Sequence, residues 1–111
     1  MKAWRARQCS GSARPPAAAH ILSVVRLGPA NNFVDVTFDT TVTAISVGDG
    51  LFRMTELAED STIDSQPGPT VVRYGSYDPI GLPQHWAMID ATGLTFAGGV
   101  ALAAPLTGSV S

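Results

Sequence analysis

The sequence predicts an all-β domain, an antiparallel sandwich of about seven strands, on three observations. One segment alternates apolar and polar residues strictly. Clusters of turn residues recur about every ten positions, the spacing of a sandwich or barrel. No window holds the 3.6-residue apolar period of an amphipathic helix. Composition agrees: 111 residues make one domain of ordinary size. Charged residues are 14% of the chain, against about 25% in an average domain. Gly 11 and Pro 8 suit short strands with many turns.

The chain divides into residues 1–19 and 20–111. The first part carries Lys2, Arg5, Arg7 and Arg14 and no acid, a side-chain charge of +4; the second sums to −6. In residues 1–19 the one large apolar group is Trp4. Such a segment cannot bury enough surface to offset the entropy of ordering. It is expected to be a flexible basic arm that orders only on an acidic neighbour, with Trp4 as its anchor.

From His20 the pattern becomes β. Ile21 to Leu27 is rich in β-branched residues and stops at Gly28-Pro29-Ala30-Asn31-Asn32. Phe33 to Asp39 is the clearest strand, with Val34, Val36 and Phe38 on one face and Asp35, Thr37 and Asp39 on the other. Val42 to Val47 makes a weaker strand before Gly48-Asp49-Gly50. Leu51 to Thr55 follows, with Phe52 and Met54 inward. Residues 58–69 are polar and read as the longest connection. Val71 to Tyr74 is a strand. Tyr77 to Pro83 is a loop stiffened by two prolines. His85 to Ile89 is a strand with Trp86 and Met88 on one face. Leu94 to Leu102, interrupted by Gly98-Gly99, reads as a hairpin or a bulged strand, and Gly108 to Val110 as a short last strand.

Two stretches bear a resemblance. Val34-Asp35-Val36-Thr37-Phe38-Asp39-Thr40-Thr41-Val42 resembles the second strand of bacterial and phage immunoglobulin-like modules. Leu94 to Leu102 is similar to their final hairpin. The resemblance implies an immunoglobulin-like sandwich for residues 20–111, and roles in adhesion, spacing or decoration of surfaces, fibres and capsids. The Cys…Trp…Cys signature of antibody domains is absent, since Cys9 lies in the arm.

Chemistry finds little footing in the sequence. His20 and His85 each open a strand, and two separated histidines do not make a zinc set. Each is expected to bond a backbone carbonyl. Glu56, Glu59, Asp60 and Asp64 cluster without the spacing of an EF-hand and read as a solvated loop. No Gly-x-Ser-x-Gly elbow occurs, and Gly48-Asp49-Gly50 is not followed by the lysine of a phosphate loop. The chain is therefore expected to be no enzyme, with no cofactor and no metal. An anionic body would repel nucleic acid, and no apolar run approaches the roughly 20 residues that span a bilayer.

The expected function is structural: a subunit of a larger protein assembly, foremost a phage virion component such as a capsid decoration or tail accessory. The alternative is an adhesive module that binds glycan or protein. The basic N-terminus lacks the apolar stretch of a signal peptide, which suits a particle assembled in the cytoplasm. The residues expected to bind are Trp4, Arg5, Arg7 and Arg14 in the arm, on the acidic surface of another subunit, and Tyr74 and Tyr77 beside the 75–83 loop. Trp86 is expected in the core. Self-association through an exposed sheet edge would give a homo-oligomer.

Overall fold

The structure is a computed structural model that describes residues 18–27, 32–104 and 106–111. Among these residues it is all-β, as the sequence predicts, with nine strands in a large and a small sheet. The strands are β1 (Ile21–Arg26), β2 (Phe33–Phe38), β3 (Val42–Ile45), β4 (Leu51–Met54), β5 (Glu59–Gly68), β6 (Val71–Gly75), β7 (His85–Asp90), β8 (Leu94–Phe96) and β9 (Thr107–Ser109). The large sheet runs β1-β2-β6-β5-β4-β7-β9 and β3 pairs with β8, with every strand pair antiparallel.

The alternation read in β2 sets the sheet. Val34, Val36 and Phe38 are buried, while Asp35 turns outward opposite Arg73 of β6. That cross-strand pair is bidentate, with Arg73 Nε and Nη2 donating to Asp35 at 2.8 and 3.2 Å. Its planar fork fixes the β2–β6 register as well as adding attraction.

The core forms where the inward faces meet. Phe52 of β4 stacks on Tyr74 of β6 at 4.7 Å between ring centroids and on Trp86 of β7 at 5.8 Å. Phe38 meets Phe96 edge-on at 5.1 Å. Trp86 is 5% exposed and lies over Gly108 of the neighbouring β9. A Cβ at Gly108 would stand 2.8 Å from the indole nitrogen, so glycine is what lets the ring lie flat on the backbone.

Strand β5 corrects the sequence reading, which made residues 58–69 a connection. Its first three residues pair with β4, and from Thr62 onward it pairs with β6. One ten-residue strand thus serves both halves of the large sheet. Ser61 and Ile63 point inward between exposed Asp60, Thr62 and Asp64. Pairing on both sides supplies what the composition does not: strand preference is mostly context, and these turn-rich residues are overruled by their neighbours.

On the far side the sheet almost closes. Ser111 N–H donates to Val24 O at 2.9 Å, and Arg26 N–H donates to Ser111 O at 2.8 Å, the two-bond pattern of parallel pairing. Ala19 is also part of the body, one residue before the boundary drawn from sequence. It is fully buried and bridges Leu102 in parallel, its N–H on Ala101 O at 2.9 Å and its carbonyl taking the Ala103 N–H at 2.8 Å.

Two smaller readings also change. Residues 94–102 are neither a hairpin nor one bulged strand: β8 pairs with β3, a 3-10 turn follows at Ala97–Gly99, and Ala101 and Ala103 bond Ala19. Gly98 and Gly99 both take positive φ there, which a side chain would resist. The last strand is Thr107–Ser109, one residue earlier than expected.

Candidate contact surface

The loop from Ser76 to Gln84, between β6 and β7, is pinned at several points. Ser76 N–H donates to Asn32 O at 2.7 Å, and the buried Ser76 hydroxyl pairs with that of Ser61. The Asn32 amide donates to the carbonyls of Ser76 and Tyr77 at 3.2 and 2.8 Å. Asp78 N–H donates to Glu59 at 3.1 Å. Ile80 is a plug: its side chain is fully buried and its carbonyl takes Arg26 Nη1 at 3.1 Å. At the far end buried Gln84 accepts the Glu56 N–H at 2.7 Å, and its carbonyl takes the Val110 N–H at 2.8 Å.

This bonding holds Tyr77 away from the body at 88% exposure, with Leu82 of the same loop also exposed. A large aromatic in water on a fixed loop has little ordering entropy left to lose on contact. Tyrosine at such a place is the residue type that interfaces enrich.

Tyr74 does not join it, which corrects its place among the expected binding residues. Its ring is fully buried against Phe52. The reason is strand alternation: Tyr74 shares the inward face of β6 with Val72, while Tyr77 lies past the end of that strand. Burial pushes the Tyr74 phenol well above its ordinary pKa. Among the described residues its buried hydroxyl meets no hydrogen-bond partner. Trp86 belongs to the core. Trp4, Arg5, Arg7, Arg14 and Cys9 lie outside the described residues.

Each histidine is bound by a carboxylate rather than by the backbone carbonyl expected. Asp39 takes the His20 N–H at 2.7 Å on one oxygen and faces Nδ1 at 2.8 Å with the other. Glu56 does the same to His85, at 2.6 Å for both contacts. The partners are 19 and 29 positions apart, so no local spacing announced them. Each pair ties the first residue of a strand region to a turn. A histidine oriented by a carboxylate is also part of a catalytic triad, but no hydroxyl or thiol among the described residues is bonded to either ring.

The acidic cluster disperses in the fold. Glu56 goes to His85, Glu59 to the Asp78 amide, and Asp60 to Arg53 at 2.9 Å. Among the described residues no three His, Cys, Asp or Glu side chains converge as a metal set would.

The two carboxylate–histidine contacts carry a pH signature. The backbone N–H of His20, with the Thr40 hydroxyl, holds Asp39 below its ordinary pKa; the His85 ring and then its N–H do so for Glu56. A lowered folded value means the stabilisation is present above the unfolded values, about 3.9 and 4.3, and is lost as pH falls through the folded ones. The urea midpoint is therefore expected to fall below about pH 4, near those unfolded values. The double substitution Asp39→Asn with Glu56→Gln should flatten that fall. An unchanged acid limb in the double variant would remove these contacts from the account. The effect is small, because both pairs are solvent-exposed.

No protein-family model matches the chain, and no curated protein matches it. Among solved structures, the N-terminal part of the bacterial S-layer protein SbsC is similar in fold. The TM-score is 0.58 at 15% sequence identity, over 85% of this chain and 23% of that one. This chain therefore corresponds to less than a quarter of that structure, and the likeness is one of β architecture alone.

Proposed function

We propose that this chain is a non-catalytic structural module that takes its place in a larger protein assembly at a cell or particle surface. The observation that carries the proposal is Tyr77, 88% exposed on a loop whose flanks are bonded at both ends. A single exposed aromatic is ordinary on a protein surface, but one on a loop held this firmly offers a partner contact area at little ordering cost. The near-closed large sheet agrees with this reading, because it leaves contacts there to side chains and loops. Lys2, Arg5, Arg7 and Arg14 give residues 1–17 four positive charges and no acid, a composition that suits an acidic neighbour. Two finer forms exist: a phage capsid or tail accessory, and a cell-surface layer or adhesive module. The second is favoured by the fold likeness to an S-layer protein.

The test is the native mass of the assembly with and without Tyr77→Ala. The substitution should leave the unfolding free energy from urea denaturation within about 0.5 kcal/mol of the parent. It should weaken association about 30-fold, the effect of losing a hot-spot side chain worth about 2 kcal/mol. A Tyr77→Ala protein that assembles as the parent does would overturn the proposal. Binding on a glycan array that disappears with Tyr77→Ala would decide between the two forms in favour of the adhesive module.

A further inference from the structure

The peptide bond between Asp78 and Pro79 differs from every other in the chain. Asp78 is the one aspartate followed by proline. Both residues are exposed, in the loop between β6 and β7. Other aspartates are tied by side chains: Asp35 to Arg73, Asp39 to His20, Asp60 to Arg53 and Asp90 to Thr92. Among the described residues the Asp78 carboxylate makes no hydrogen bond or ion pair; only its backbone N–H is bonded, to Glu59. The carboxylate is therefore free to turn, by rotation about its own side-chain bonds, onto the carbonyl carbon of its own residue. A nucleophile placed in the same residue as its target acts at a high effective concentration.

We propose that in acid the chain cuts itself between Asp78 and Pro79 and stays folded afterwards. The Asp78 carboxyl oxygen bonds to the Asp78 carbonyl carbon, the carbon–nitrogen bond to Pro79 breaks, and the carboxyl proton passes to the proline nitrogen. That nitrogen carries no hydrogen within the chain, and it leaves as the secondary amine of a new N-terminus. One water opens the cyclic anhydride left on Asp78. It restores the side-chain carboxyl beside a new C-terminal one. Acid is needed because carboxyl groups hold a proton only near or below about pH 4.

The fold holds both sides of the cut. Before it, Ser76 N–H is bonded to Asn32 O, and the Asn32 amide holds the Tyr77 carbonyl. After it, Ile80 is fully buried and its carbonyl takes the Arg26 guanidinium. Further along, β7 pairs with β4 and β8 pairs with β3. Residues 79–111 are therefore kept in the body by two strand pairings with residues 1–78. The cut does change Tyr77, which becomes the next-to-last residue of a free end. On the assembly reading, on which this one consequence rests, acid would release the contact made through Tyr77.

The test is the intact mass of the full chain held at about pH 3.5, under the ordinary carboxyl value. A free peptide of residues 74–82 runs beside it, and the incubation lasts until half of that peptide is cut. The full chain should give residues 1–78 and residues 79–111, with masses that sum to the parent plus one water. The pieces should elute together in size exclusion and part only in urea. Asp78→Ala should slow the cut about 100-fold or more, because it removes the neighbouring nucleophile. Pro79→Ala should also slow it, because its nitrogen is a poorer leaving group. Both positions are exposed, so neither variant should lose the fold. A full chain left whole while the peptide is cut would overturn the site, and so would an Asp78→Ala chain cut at the parent rate. Pieces that separate without urea would overturn the persistence of the fold. Tyr77→Ala should leave the cut in place, so self-cleavage and the assembly role fail separately.

Discussion

Replacing Phe52 with alanine should cost about 3–5 kcal/mol, the range for deleting a fully buried aromatic ring. Phe52 has no exposed surface, and its ring is held between Tyr74 and Trp86. The three rings come from β4, β6 and β7, and β6 reaches β4 only through β5. The substitution would thus open a cavity at the meeting point of both halves of the sheet. Neither neighbour can move in freely: Tyr74 is fixed on the paired β6 and Trp86 lies on the Gly108 backbone. Domains of this size are stable by only about 5–15 kcal/mol, so the loss would be a large fraction of the total. Urea denaturation at neutral pH measures it. The control is Leu22→Ala at a site 64% exposed, which should stay within about 0.5 kcal/mol. A Phe52→Ala loss below about 1 kcal/mol would mean that the three-ring stack is not where the core is held, since it falls well under the usual range.

Adding one methyl at Gly108 should be the next most damaging change, at about 1–3 kcal/mol for an overpacked site. The new carbon would meet three indole atoms of Trp86 at 2.8 to 2.9 Å, all inside contact distance. The ring cannot retreat, because Phe52 stacks on it with an interplanar angle of 13°. Relief must come from β9 moving off β7, which strains the His85–Ser109 and Ala87–Thr107 pairing. Gly108→Ala should therefore lower the denaturation midpoint and change the environment of Trp86. Gly81→Ala is the matched control: nothing lies within 4 Å of its added carbon. Equal midpoints for the two variants would refute the close approach of Trp86 to β9.

The parts of the fold legible in sequence are those where burial and residue type agree. In β2 the inward residues are Val34, Val36 and Phe38, so alternation is visible as hydrophobicity. The inward placing of Phe52, Met54, Trp86 and Met88 was legible for the same reason. In β5 the inward residues are Ser61 and Ile63. A serine hides the period, because its hydroxyl is satisfied by Ser76 of another element rather than by water. The same limit governed the surface. Tyr77 sits in a segment of turn residues, and loops carry contacts. Tyr74, three positions earlier, belonged to a strand whose inward face only pairing with β2 and β5 decides. The carboxylate partners of His20 and His85 were out of reach, since each pair is made by folding across the sheet.

The joining of β1 to Ser111, and of Ala19 to Ala101 and Ala103, has a mechanical consequence. In each case two backbone bonds link segments that run in the same direction. A pull on the start of the chain and an opposite pull on its end would slide these segments along one another. Sliding stretches both bonds of a pair at once, whereas peeling breaks them singly. Tension applied between the two ends therefore meets its first resistance at these clasps, before any force reaches the aromatic core.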